Sequence, residues 1–455
     1  MSREQASGLT ARNDAKLSRS KILLLSTALL MMSGGAFAQT AVNTSPSADP
    51  RRQDGARIVT QPNTSTKLDQ TQDADDLSQS YQPKGINLGS FLLLPKVELD
   101  ETFNDNIYAE ENGKNSDFIT SLRPSFRLQS QLPQHALNFF GELEGNRYAK
   151  YNDDNTINGR ATADGRYDLS RTTQLTGLAD FNAYHEERGS DDDVNGEKPT
   201  AARSGLFKLG GKTQAGRFTF STEGSLDRRV YDDVTTSLGT QINNADRDRI
   251  EMVGTLRGGY EFFPGYAAVI AVTGNKRTYD DKFDDNGFER DSKGYRVEGG
   301  VGIDISQLIR GDFLIGYLSQ KYEDPGLKDP KGLALRATFN WTPSRMTLVV
   351  PSLERSVMET TIAGTSSVVR TSGSLMVRHE LARNILATVY GGLYFDEYSG
   401  VSQDALTWEI QARLTYAFTE NVFVSGEIGH KSKDSDFPAR SFDQNFIGVR
   451  LGLQL

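Results

Sequence analysis

Charged residues recur at alternate positions through much of the chain, and that spacing defines the chemistry open to it. Arg123 and Arg127, Glu142 and Glu144, Arg160, Asp164 and Arg166 fall in this pattern. So do Asp180, Glu223, Asp227, Glu251, Arg257, Arg296, Glu298, Arg336, Glu409, Arg413, Glu427 and Arg450. Guanidinium and carboxylate groups of both signs, mixed with Thr, Ser, Asn and Gln, can pair with one another or offer donors and acceptors to a hydrophilic solute. Taken singly, each reads first as half of a structural ion pair. Taken together, they describe one long polar surface.

Other chemistries find little support. His135, His185, His379 and His430 are the only histidines, they fall at turns or strand ends that the pattern keeps apart, and the chain has no Cys. A His/Cys metal set is therefore not expected, no spacing nominates a Ser/His/Asp site, and neither enzymatic activity nor a cofactor is anticipated. The stretch "DDDVNG" puts Asp191, Asp193, Asn195 and Gly196 at ligand and turn positions of a calcium loop, but the twelfth position is Ala202. Without the bidentate Glu at that position it reads as a polar surface turn. The Gly-rich "EGGVG" lies inside an alternating segment with no helix after it, so it is not a phosphate loop.

The elements that must carry the charges are strands. In "LTWEIQARLTYAF" (406–418), Leu406, Trp408, Ile410, Leu414 and Tyr416 alternate with Thr407, Glu409, Gln411, Arg413 and Thr415, the period of two of a strand with one apolar and one polar face. The same pattern returns in "GYRVEGGVGIDIS" and in the final "FIGVRLGLQL". About eighteen such segments fit between Gly85 and Leu455. Short connections such as "TQAG" and "FFPG" take turns with long, mostly acidic ones such as "YDDVTTSLGTQINNADRD", so the two ends of the sheet differ.

An all-β, up-and-down antiparallel sheet of this kind can close as a soluble barrel or as a transmembrane one. Segments of roughly 10 to 14 residues exceed the 5 or 6 usual in soluble sheets and match a tilted outer-membrane span. The apolar face is rich in small residues, among them Gly141, Gly177, Ala179, Gly254 and Gly299, which a dry core would pack poorly and lipid chains tolerate. Tyr167, Tyr260, Phe262, Trp341, Trp408, Tyr416 and Phe418 lie near segment ends, as interfacial girdles do. The expectation is a transmembrane β-barrel of about eighteen strands over 85–455, with lipid and lipopolysaccharide against its apolar outside and a wet polar interior. Barrel-assembly machinery would be its folding partner.

The N-terminus carries Lys16, Arg19 and Lys21 before the apolar run "ILLLSTALLMM", then small residues around Ala36 and Ala38. That is the pattern of a signal peptide over 1–38, and the run is shorter than the ~20 residues a membrane-spanning helix needs. Residues 39–84 are rich in Gln, Thr, Ser, Asp and Pro and poor in aliphatic side chains, so a disordered periplasmic segment is expected. The net charge of −9 does not suit a nucleic-acid partner.

The stretches "GSFLLLP" (89–95), "NDNIY" (104–108), "LRPSFRLQS" (122–130) and "HALNFFGELEGNRY" (135–148) resemble the type 2 β-barrel porins of Gram-negative outer membranes. The resemblance implies an outer-membrane barrel, often one that assists export of exopolysaccharide or capsule with periplasmic polysaccharide-export proteins as partners. Tyr184, Tyr390 and Tyr394 are the aromatic candidates for contact with a sugar. The polar inner face alone fits equally a general diffusion porin for small hydrophilic solutes, and a non-conducting structural or adhesive barrel is the third reading.

Overall fold

A computed structural model describes residues 81–455 apart from 191–192, 237, 306–307, 361, 363 and 438. The expected signal peptide, and the expected disordered segment up to residue 80, lie outside the described residues.

Eighteen long strands run in chain order around a closed barrel. They are β1 (Phe91–Asn104), β2 (Asp117–Ser130), β3 (Ala136–Tyr148), β4 (Thr156–Asp168), β5 (Thr173–His185) and β6 (Ala201–Ala215). β7 (Phe218–Tyr231), β8 (Arg249–Phe263), β9 (Tyr266–Tyr279), β10 (Ser292–Ile305), β11 (Ile309–Tyr322) and β12 (Lys331–Ser344) follow. β13 (Thr347–Met358), β14 (Ser367–Ala382), β15 (Ile385–Ser399), β16 (Asp404–Ala417), β17 (Val422–Ser435) and β18 (Phe442–Gln454) complete it. Every neighbour pair is antiparallel, and β1 pairs with β18 from Lys96↔Gln454 to Asn104↔Phe446. Closure removes the two open edges that a sheet of this size would otherwise expose.

Alternation fixes which way each strand faces. On β16, Trp408, Ile410 and Leu414 are 41%, 49% and 49% exposed, whereas Glu409, Gln411 and Arg413 between them are 7%, 6% and 3% exposed. The apolar residues are the outside. A slip of one residue would exchange the two faces along the whole strand, so the polar–apolar pattern itself selects the register. Tyr167, Tyr260, Phe262, Trp341, Tyr416 and Phe418 project outward close to the short-turn end, and Trp408 lies nearer the other end.

The short turns join β2 to β3, β4 to β5 and so on at one end of the barrel, and the long connections lie at the opposite end. Gly216 (φ +61) and Gly265 (φ +80) occupy left-handed positions in two of the short turns, and a Cβ on Gly265 would sit 2.8 Å from the Asp304 carbonyl oxygen. Only glycine satisfies both demands at Gly265. Two long connections contain single 3-10 turns, Asn152–Asp154 and Ala245–Arg247.

Neighbouring backbones in β10–β12 approach one another closely at glycine positions. A Cβ on Gly300 would lie 1.9 Å from the Phe313 carbonyl oxygen, and one on Gly316 would lie 1.8 Å from that of Val297. Glycine is needed inside these strands because two backbones approach where a side chain would have to fit. Nearby, Val269, Ala271 and Leu314 form a small apolar patch on the inner wall.

Candidate functional site

Register places all of the charged residues singled out in the sequence on the face opposite the exposed apolar one. They are not one cluster. They divide into a sealed sector and an open one.

The sealed sector straddles the closing seam. Asp100 of β1 accepts hydrogen bonds from Arg450 Nε of β18 at 2.5 Å and from Arg123 Nη2 of β2 at 2.8 Å. Arg123 also faces Glu144 at 3.5 Å, and Arg450 faces Glu98 at 3.7 Å. Next to them, Arg413 donates twice to Glu427 Oε2, at 2.9 and 2.5 Å. Tyr390 and Tyr394 share a hydrogen bond of 2.6 Å, and Tyr394 donates to Glu409 at 2.7 Å. Arg370 forks onto Asp396, which is wholly buried. Burying charges this deeply is costly unless each has several partners, and the shared, bidentate geometry supplies them.

The open sector faces wider space. Arg160 pairs with Asp180 at 2.7 Å with its own side chain 44% exposed, whereas the Arg229–Asp227 pair at 2.7 Å is more enclosed. Arg166 reaches Asp168 at 3.0 Å, Asp164 accepts from Asn138, and Arg127 lies over the Phe140 ring. Arg257 crosses β9 and β10 to pair with Asp312 of β11, passing the small inner residues of those strands. Arg336 pairs with the buried Glu298, and Arg296 lies 3.7 Å from both Glu298 and Glu354. Glu142 and Glu223 lie on the same face.

Sequence reasoning left out several partners. Glu98 and Asp100 alternate within "KVELDETF" and could have been found by the same count of alternate positions. Glu359 could not: it follows β13 in a connection, yet reaches Arg277 Nη1 at 2.5 Å, Tyr279 Oη at 2.8 Å and Tyr322 Oη at 3.0 Å. Arg277 holds Glu251 at 3.0 Å as well. The inner face is also less uniformly polar than expected. Leu386, Ala417 and Phe423 form a buried patch at the short-turn end, against which Tyr81 packs.

The histidines lie apart, each with its own neighbour. His135 stacks on Tyr167, His185 contacts Asn158, His379 contacts Thr347 and His430 contacts Asn445. In the "DDDVNG" turn, residues 191 and 192 are outside the described residues, while Asp193 accepts from the backbone N–H groups of Gly189 and Asn195, the self-contained bonding of an Asx turn.

A closed eighteen-strand wall, apolar outside and charged within, is the architecture of an outer-membrane barrel, and the family model described as "Putative beta-barrel porin 2" matches residues 79–455. The chain belongs to that family. It is thus an outer-membrane, porin-like barrel, as the resemblance in its first quarter implied. No curated protein matches it. Among solved structures it is similar to OccK2 (OpdF) of Pseudomonas aeruginosa in complex with glucuronate, at 10% identity, covering 82% of this chain and 100% of that one with a TM-score of 0.42. It is similar too to OccK3 (OpdO) of the same organism, at 13% identity, covering 80% and 95% with a TM-score of 0.39. A BenF-like porin from Pseudomonas fluorescens Pf-5 matches at 10% identity, covering 80% and 99% with a TM-score of 0.41.

Proposed function

We propose that this porin-family barrel is a diffusion channel for small hydrophilic solutes across the outer membrane of a Gram-negative bacterium. The observation that carries the reading is the open sector. Arg160 and Arg257 keep 44% and 36% of their side chains accessible inside a closed eighteen-strand barrel, and a barrel of this strand number encloses an aqueous path unless it is plugged. Donors and acceptors of both signs along that path substitute for the water that a polar solute sheds.

Export of exopolysaccharide follows from the family resemblance alone. Tyr390 and Tyr394, two of the aromatic candidates for sugar contact, are engaged with each other and with Glu409, so their hydroxyls are committed to the wall. The short-turn end faces the periplasm in such barrels, where the segment before residue 81 would lie after removal of the signal peptide. The deciding experiment is reconstitution of the purified, refolded protein in planar bilayers. Discrete single-channel steps in KCl are expected, and a folded barrel that gives none overturns the reading.

A further inference from the structure

One sector of the apolar outer face carries a row of cations. Lys276 of β9 stands directly opposite Lys293 of β10, and Lys293 stands directly opposite Lys321 of β11. Lys331 of β12 follows beside them, opposite Ser319. All four are exposed and share the parity of the outward Val272, Val297, Ile315 and Leu333, whereas Arg277, Ser292, Gln320 and Tyr322 next to them in the chain are buried. The lysines therefore lie on the membrane side of the wall, at its long-loop end.

Directly opposed side chains have Cβ atoms about 5 Å apart, and like charges at that spacing repel. Lys293 meets Glu323 at 3.2 Å, with both side chains at least half exposed, and such a pair contributes little in water. Lys276, Lys321 and Lys331 have no ion-pair partner among the described residues. The counter-charge for the row has to come from outside the chain.

Depth in the membrane says which counter-charge that is. The outward residues of β10 run Lys293, Tyr295, Val297, and those of β11 run Lys321, Ser319, Tyr317, Ile315. Cation, aromatic ring and aliphatic side chain thus follow one another in the order of headgroup, interface and hydrocarbon. Long loops are extracellular in barrels of this kind, so the row stands at the headgroups of the outer leaflet. The rim is not basic all round, because β16, β17, β18 and β1 present Asp404, Asp434, Asp443 and Glu101 outward at the same end.

We infer that Lys276, Lys293 and Lys321, with Lys331 beside them, form a binding site for the phosphate groups of lipopolysaccharide, confined to the β9–β12 side of the barrel. Two strand spacings separate the outer lysines of the row by roughly 10 Å, room for two phosphates held by charge-assisted hydrogen bonds. The inference goes beyond the channel reading and depends only on which way the wall faces.

The test measures binding of a fluorescent lipid A with two phosphates to the full chain refolded in zwitterionic micelles. The probes for comparison are the same lipid A without phosphates and inorganic phosphate as a competitor. The triple variant Lys276→Gln, Lys293→Gln, Lys321→Gln should bind the two-phosphate lipid about ten- to a hundred-fold more weakly, given the attraction each basic residue supplies at a charged membrane surface. The matching triple arginine variant should bind as wild type does, and so should Arg147→Gln, an exposed base on β3 away from the row. Without lipid A the triple glutamine variant should show its heat-induced gel mobility shift at or above the wild-type temperature, because repulsion has been removed, and only the wild type should gain on adding lipid A. If the triple variant fails to fold, Lys293→Gln at the centre of the row carries the comparison. Equal binding by wild type and the triple glutamine variant, or equal binding of the two forms of lipid A, overturns the site. Displacement of the lipid by millimolar inorganic phosphate makes it a site for free anions and overturns the lipid assignment. Neither result touches single-channel conductance, which tests the channel separately.

Discussion

Arg450 and Asp100 meet at 2.5 Å across the ladder that closes the barrel, although 350 residues separate them in the chain. Asp100 also holds Arg123, and all three side chains are 8% exposed or less. Asp100→Asn would leave two buried guanidiniums without their shared counter-charge. Breaking a buried pair in this way costs about 3–5 kcal/mol. The expected result is a lower temperature for the heat-induced gel mobility shift, with a smaller effect for Arg160→Gln, whose pair is partly in water.

The orientation of the wall gives a second prediction. Ile410 points outward and Gln411 inward on β16. Arginine at a lipid-facing position near the bilayer midplane costs about 2–4 kcal/mol. Ile410→Arg should therefore reduce the yield of folded barrel in refolding into lipid vesicles, and the inward Gln411→Lys should reduce it less. Equal losses from both would contradict lipid on the apolar face.

The close backbone approaches in β10–β12 predict unequal tolerance among glycines. Gly316→Ala forces a methyl group to within 1.8 Å of the Val297 carbonyl oxygen, whereas a Cβ on Gly254 meets nothing within 4 Å. Gly316→Ala should impair folding and Gly254→Ala should not, as read by the folded fraction on unheated gels. Overpacking against a backbone atom has no flexible side chain to yield, so the cost should lie at or above the usual ~1–3 kcal/mol.

Much of the fold was legible because alternation acts locally. The faces of β16 and β18, the strand number and the two kinds of connection follow from a period of two and from turn residues, each readable within a dozen positions. The choice of ion-pair partner was not. Arg257 reaches Asp312 past the small inner residues of two intervening strands, and Glu359, in a connection, meets Arg277, Tyr279 and Tyr322 of two other strands. Both depend on contacts across strands that no single segment encodes. The inward Leu386 and Phe423 were hidden for the opposite reason: they fall at strand ends, where Tyr81, which precedes β1 in the chain, covers them.

The Tyr81 contact gives a fourth prediction. Tyr81 packs on Leu386, Ala417 and Phe423, and Lys84 pairs with Glu420 at 2.7 Å in a short turn. Gly85 lies against Leu92 and Leu94, with no room for a Cβ. These contacts anchor the chain just before β1. Lys84 is largely exposed, so its ion pair contributes little, and the aromatic contact should dominate. Tyr81→Ala should speed tryptic cleavage after Lys84 in the folded barrel, and Glu420→Gln should leave the rate nearly unchanged.

A last prediction concerns pH in the long connections. Burial pushes the Asp246 carboxyl above its usual range, and the nearby Asp285 and Asp284 carboxylates add to this, against the Asp285 backbone N–H and Arg247. An acid whose value is raised by folding contributes stability that is fully present below its unfolded value and is lost as pH rises through the folded one. Contacts around Asp246 should thus tighten as pH falls from neutral toward about 4. Asp280 works in the opposite sense, because its hydrogen bond from Arg228 lowers its value, so that pair weakens only as pH drops below the usual carboxylate range. Amide hydrogen exchange, corrected for its intrinsic pH dependence, should show rising protection over residues 243–248 on mild acidification. Asp246→Asn should flatten that rise, and an unchanged profile in the variant would assign the effect to another group.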